Sequence, residues 1–300
     1  MKGYQIDTTL PLKEGVMATL ASVIQQLDLP DAFQSNPHVA IHATRKTIKR
    51  IRALLKMIRD GAGYGVYLRE NRFYRNISRH LSQSRDLYVL LETLHSVTSK
   101  KKQPVSAADE LKNRITLALE KEMEALSAPG GAFEMIPVAL DDAVKRLDAT
   151  LQLSDDFNSL DKGMRRTYRK GRRLFSVVKD DPHMGHTHEF RKSSRTLQFQ
   201  MELIVPLYPS LLRGYAASID NLTEKLGRIR DLQRLQSFAK ETGIEASPGS
   251  ADGTFLKTIQ AQSHKAFQGI YGLAPLIYAE KPGRFVGRIH QYWKTHQQQH

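Results

Sequence analysis

The sequence predicts an all-α fold in which a helical unit of roughly 150 residues occurs twice. Three observations predict it. Apolar residues recur every three or four positions along nearly the whole chain. No segment alternates with the period of two that marks a half-buried strand. One arrangement of charged residues returns after 145–146 positions, too long a period for a solenoid, whose repeats run about 20–50 residues.

The helices follow in order. Residues 14–27 carry apolar side chains at 16, 17, 20, 23, 24 and 27, one helix face. Residues 41–58 repeat them at 41, 48, 51, 55 and 58. Further helices are expected over 69–81, 86–97, 109–126, 133–153, 161–178, 188–205, 211–226, 231–240, 255–271 and 285–293. Breaks fall where Gly, Pro and Ser gather, at 61–65, 103–106, 127–131, 180–185 and 243–253. The last of these is expected to be the most mobile loop.

The repeat is carried by two pairs of motifs. His42-x-x-Arg45 lies 146 residues before His188-x-x-Arg191, and Arg85-Asp86-Leu87 lies 145 before Arg230-Asp231-Leu232. The expected division is a unit over 1–155 and a second over 156–300.

Net charge is +14, with 45 Lys and Arg against 31 Asp and Glu, and it is concentrated. Residues 42–59 hold seven basic residues and no acid, 162–179 hold eight and no acid, and 64–85 hold five with one acid. These 58 residues carry +19, so the other 242 sum to −5. Charge so distributed points to an acidic partner rather than to a fold.

On a helix, His42, Arg45, Lys49, Arg52, Lys56 and Arg59 form one stripe about 26 Å long. Lys46 and Arg50 widen it. A solvated helix face would mix signs. This segment instead holds six like-charge pairs at i,i+3 or i,i+4 and no opposite pair. That is about 1–3 kcal/mol of self-repulsion. A long polyanion would relieve it and release condensed counterions. In 162–179, Arg165, Arg169 and Arg172 flank one side of an apolar seam, and Arg166, Lys170 and Arg173 flank the other. Arg69, Arg72, Arg75 and Arg79 extend the basic track.

Both motif histidines sit at the end of a basic stripe, where neighbouring cations disfavour the charged imidazole. His42 and His188 are therefore read as neutral partners for phosphate oxygens or as structural groups. His183-x-x-His186-x-His188 has metal-ligand spacing but no clear carboxylate partner in sequence, and no metal or other cofactor is assigned. Asp86 and Asp231 are read as counter-charges to Arg residues of neighbouring helices, holding the basic ladder in register.

Several chemistries are missing. There is no cysteine, which excludes disulfides, thiol nucleophiles and Cys-ligated metals. No Gly-x-x-x-x-Gly-Lys phosphate loop and no Gly-x-Ser-x-Gly elbow occurs. The longest uncharged run is 14 residues, too short to span a bilayer, and no secretory signal is read at the N-terminus.

These motifs resemble the CHAD family, the conserved-histidine α-helical domains. The stretch His42-Ala-Thr-Arg45-Lys-Thr-Ile-Lys49-Arg50-Ile51-Arg52 follows one family pattern. The stretch His188-Glu-Phe-Arg191-Lys-Ser-Ser-Arg195-Thr-Leu197-Gln198-Phe199, with Glu202, follows another. Leu226-Gly227-Arg228-Ile229-Arg230-Asp231-Leu232 and the Tyr168–Arg173 run fit as well. The resemblance implies two helical bundles related by a pseudo-two-fold, with a basic groove or pore between them. It further implies non-catalytic binding of inorganic polyphosphate. The Glu-x-Glu-x-Lys motif of the triphosphate-tunnel domain that often accompanies such domains is absent. Gln198 stands where the pattern has Arg, so the second histidine helix is less basic than the first.

The expected function is therefore a cytoplasmic, non-enzymatic polyphosphate-binding module, in the company of polyphosphate granules. The expected binding residues are His42, Arg45, Lys46, Lys49, Arg50, Arg52, Lys56, Arg72, Arg75, Arg79, Arg165, Arg166, Arg169, Lys170, Arg173, His188, Arg191 and Arg195. Sulfate and phosphate are the other anions expected to bind. A nucleic-acid binder is the second reading. It has few stacking platforms, since only Tyr168 and Phe199 interleave with the stripes. A polyphosphatase or phosphohistidine enzyme is the third.

Overall fold

A computed structural model describes residues 3–99, 106–243 and 251–299. Among these the regular elements are helical: α1 (Leu12–Gln25), α2 (Leu29–Ser35), α3 (Pro37–Met57), α4 (Tyr64–His80), α5 (Ser82–Thr98) and α6 (Ser106–Ser127). They continue with α7 (Ala132–Thr150), α8 (Asn158–Asp180), α9 (Met184–Leu203), a 3₁₀ turn (Val205–Leu207), α10 (Pro209–Glu241), α11 (Ala251–Ile277) and α12 (Pro282–Gln297). A shift of 145–146 residues carries the start of α1 onto that of α8 and the start of α6 onto that of α11.

The ends of the helices have local causes. Asn36 caps α3, its side-chain oxygen accepting from the Val39 amide at 3.3 Å, and Pro37 occupies the first turn, where no donor is needed. Gly63 precedes α4 at φ +85°, a conformation that favours glycine.

Three expectations need correction. The short helix α2 has no counterpart among the expected elements; seven residues are too few to show a period. Residues 211–226 and 231–240 belong to one 33-residue helix, α10. Gly227, the first residue past the expected end at 226, lies inside this helix and serves packing: an added Cβ there would lie 3.3 Å from the Arg191 guanidinium. Helix α11 runs through Pro275 to Ile277, past the expected end at 271. Much of the loop expected at 243–253 lies outside the described residues, and its last three residues already belong to α11.

Helix α9 sits centrally, packed against α3, α8 and α10. It runs antiparallel to α3: Lys56 meets Thr196, Gln200 meets the Ala53 carbonyl, and Arg50 meets Glu202. Two apolar cores form, and each draws on both halves of the sequence. The larger joins, among others, Ile48 and Ile51 of α3, Tyr168 of α8 and Leu197 of α9. The smaller joins Leu94 of α5 and Leu111 of α6 to Leu235 of α10 and Phe255 of α11.

One buried charge is central to the first half. Glu70 of α4 has no exposed side-chain surface and accepts two hydrogen bonds from Arg146 of α7, at 3.0 and 2.8 Å. Arg69 adds a third at 2.7 Å. Burial pushes the Glu70 carboxyl up, but the Arg146 and Arg69 hydrogen bonds outweigh it and hold it below the usual range. Its contribution is thus present above the unfolded pKa and lost as pH falls through the folded one. Glu70→Gln is expected to destabilise the fold by about 2–3 kcal/mol, less than the ~3–5 of a fully buried pair because Arg146 stays about a third exposed. Urea denaturation of the variant beside the parent chain measures this.

Candidate polyanion-binding cleft

His42 and Arg45 of the first His-x-x-Arg motif and Arg191 of the second, 146 residues on in sequence, meet in one cleft of about 350 Å³. Helix α3 contributes His42, Arg45, Lys46 and Lys49, and α9 contributes Arg191 and Arg195. Arg85 and Asp86 of α5 face Arg228, Arg230 and Asp231 of α10 across the remaining walls. The lining holds eight Lys or Arg and three acids, a net +5.

The acids act as counter-charges behind the basic lining. Asp86 pairs with Arg230 at 3.8 Å and with Arg234 at 2.5 Å, tying α5 to α10. Burial raises the Asp231 carboxyl, against the pull of Arg191, Arg230 and Arg228. Each Arg-Asp motif thus sets its acid near a motif arginine, Asp86 by Arg45 and Asp231 by Arg191.

The cations are poorly solvated. Lys49 is reached by solvent, yet it is walled in by protein. Burial, with Arg45, Arg191 and Arg195 adding repulsion, lowers its ammonium to about 7. Burial and the charge of Arg52 and Lys170 bring Lys56 to about 8. Arg191 is depressed by burial and by Arg195, but a guanidinium keeps its proton at neutral pH. The Nε atoms of Arg45 and Arg191 are buried with no hydrogen-bond partner. An unsatisfied buried donor on a cation is costly. His42 is held at about 4 by burial and by Arg85 and Lys49; His188 is held at about 4 by burial and by Lys192 and Arg230. Both imidazoles are neutral at pH 7, as their surroundings predict.

Beyond the cleft the positive track follows α3. Arg52 donates to Asn71 at 2.9 Å and faces Arg75 and Arg79 of α4. Lys56 follows, with Lys170 of α8 and Lys192 of α9 beside it. Arg72, Arg75, Arg79, Arg169, Lys170 and Arg173 are all exposed.

Other members of the expected set are placed differently. Arg50 turns inward, stacked over Tyr4 and paired with Glu202 at 3.2 Å. Arg195 reaches the cleft but donates to Asp220 and Glu224, each at 2.9 Å. Arg166 is paired with Asp60, and Arg165 with Asp161 at 3.4 Å. The two flanks of α8 diverge, Lys170 toward α3 and Arg165 toward the start of α12. His188 does not line the cleft. Gln198 is buried between Arg195, Asp220 and Glu202, donating to Asp220, which holds Arg195, and to Glu202, which holds Arg50.

Arg85, Arg228, Arg230 and Lys192 are not among the expected site residues. The sequence holds a signal for two of them, because Arg85 and Arg230 open the two Arg-Asp-Leu stretches that lie 145 residues apart.

Sequence comparison matches the chain to the CHAD domain over residues 19–240. The chain belongs to the CHAD domain family. Among solved structures, PptA from Streptomyces chartreusis has a similar fold, with a TM-score of 0.58 at 16% identity, over 95% of this chain and 100% of that one. At that identity the likeness speaks for the fold alone. No curated protein matches the sequence. For this CHAD protein, no helix among the described residues is long and apolar enough to cross a membrane.

The depressed Lys49 has a measurable consequence. In the free protein its charge is lost as pH rises through about 7, and a bound polyanion restores it. Polyanion binding at pH 8 is expected to take up more than one proton, most of one at Lys49 and about half of one at Lys56. Affinity is expected to fall as pH rises from 7 to 9. Calorimetry in buffers of different ionisation enthalpy reads both.

Proposed function

We propose that this CHAD protein binds inorganic polyphosphate, without catalysis, along the cleft and the α3 track. The observation that carries the reading is the group of under-neutralised cations between α3 and α9, eight Lys or Arg against three acids in one cleft. Arg45, Lys49, Arg85, Arg191 and Arg230 would hold successive phosphates in the cleft, and Arg52, Lys56, Arg75 and Arg79 would continue the chain outward. His42, neutral at the cleft wall, would donate or accept a single hydrogen bond. The two sequence halves would act as the pseudo-symmetric walls of this groove.

Nucleic acid is the less favoured ligand for a specific reason. Phe199 is the one aromatic residue among those lining the cleft, and it is buried beneath the Arg50 and Arg195 guanidiniums. Tyr168, the other candidate platform, is fully buried. Inside the cleft bases would find no open Phe, Tyr or Trp ring on which to stack, although Tyr64 is exposed beside Arg59.

Competition decides the question. Long polyphosphate is expected to bind with an affinity that rises with chain length until the track is filled and falls steeply with salt. RNA or DNA that displaced it at equimolar phosphate would overturn the reading. Release of phosphate on incubation with a divalent metal would overturn its non-catalytic part.

A further inference from the structure

The turn between α8 and α9 brings together three side chains that the anion cleft does not use. Asp181, His183 and His186 each offer one donor atom, and the three donors lie within 4.8 Å of one another. His183 Nε2 is 3.7 Å from Asp181 Oδ2, and His186 Nδ1 is 3.4 Å from the same oxygen. Both distances are long for direct hydrogen bonds. They are close to the edge of a tetrahedron, about 3.3 Å between donors, around an ion with bonds of about 2.0–2.2 Å. His183-x-x-His186 alone lacks an acid; Asp181, the residue just past the end of α8, supplies one.

We propose that Asp181, His183 and His186 bind one divalent transition-metal ion of the zinc class. Two imidazoles and one carboxylate suit zinc, cobalt or nickel, whereas magnesium and calcium favour all-oxygen sets. Three protein ligands leave further positions for water or an anion oxygen. Asp181 and His183 are exposed and His186 is half-exposed, so the rings turn into place without disturbing the core.

The proton balance sets the cost. His183 Nδ1 accepts the Gly185 amide at 2.9 Å, so in the neutral ring the proton sits on Nε2. Coordination through Nε2 moves that proton to Nδ1 and gives up this helix cap. His186 Nδ1 also lies 3.1 Å from the Asp181 carbonyl, a contact that coordination through Nδ1 replaces.

Zinc titration of the full chain by calorimetry, with cobalt absorption as a second readout, tests the site. One equivalent is expected, with tetrahedral cobalt bands. His183→Ala with His186→Ala is expected to abolish it, and Asp181→Asn to weaken it at least tenfold. Circular dichroism checks that each variant is helical. Unchanged binding in either folded variant would overturn the proposal, as would a parent chain that takes up no zinc. The test uses no polyphosphate, so its outcome is independent of the anion reading.

Discussion

Replacing Arg45 and Lys49 together by Glu is expected to weaken polyphosphate binding at least tenfold, about 1.4 kcal/mol. Both residues line the cleft, and the double change takes its net charge from +5 to +1. The loss has two sources. Two phosphates lose charge-assisted donors, and two carboxylates then repel the chain. With two fewer phosphates neutralised, the salt dependence should flatten by roughly 1.5 in log–log slope. Stability separates this from unfolding. Lys49 is repelled by Arg45, Arg191 and Arg195, so its removal relieves strain between like charges in the free protein. Arg45→Gln with Lys49→Gln, which adds no repulsion, is expected to show a smaller loss in the same direction. Unchanged affinity in a folded Glu variant would place the site elsewhere.

Gly163→Val is expected to destabilise the fold by about 3 kcal/mol and to weaken polyphosphate binding with it. Helix α8 crosses α3 at Gly163 with almost no gap. An added Cβ would lie 2.0 Å from the Met57 carbonyl oxygen and 2.5 Å from that of Lys56. These are main-chain atoms at the end of α3, so no flexible side chain can yield. The helices must separate, and with α8 goes Lys170, the neighbour of Lys56 on the positive track. Gly63→Ala is the contrasting case. A Cβ there meets nothing within 4 Å, so its cost comes from the positive φ alone. Thermal unfolding of the two variants, read beside their polyphosphate affinity, should rank Gly163→Val well below Gly63→Ala on both counts.

Much of the architecture is legible in the residue pattern. The apolar spacing on 41–58 predicts which face of α3 is buried, and Ile41, Ile48, Ile51, Leu55 and Ile58 are all in the core. The duplicated His-x-x-Arg motif predicts equivalent helices, α3 and α9, which pack against each other. What periodicity cannot give is the partner of an outward charge. Arg50 lies on the widened stripe yet turns toward Glu202, 152 residues away. Arg195 carries the motif spacing but is held by Asp220 and Glu224 of another helix. The two flanks of α8 look equivalent because both are basic, and only packing tells the one facing α3 from the one facing α12. Gly227 is a related case. It lies just past the helix end expected at 226, and its missing Cβ is room for Arg191 in three dimensions.

One polyanion is proposed to lie between α3 and α9. A crystal structure of the protein grown with medium-length polyphosphate tests it most directly. Continuous phosphate density is expected in the cleft, within hydrogen-bond reach of Arg45, Lys49 and Arg191, leading outward past Arg52. Phosphate density confined to another surface, such as the Arg165 and Arg172 flank of α8, with only water in the cleft, would contradict it.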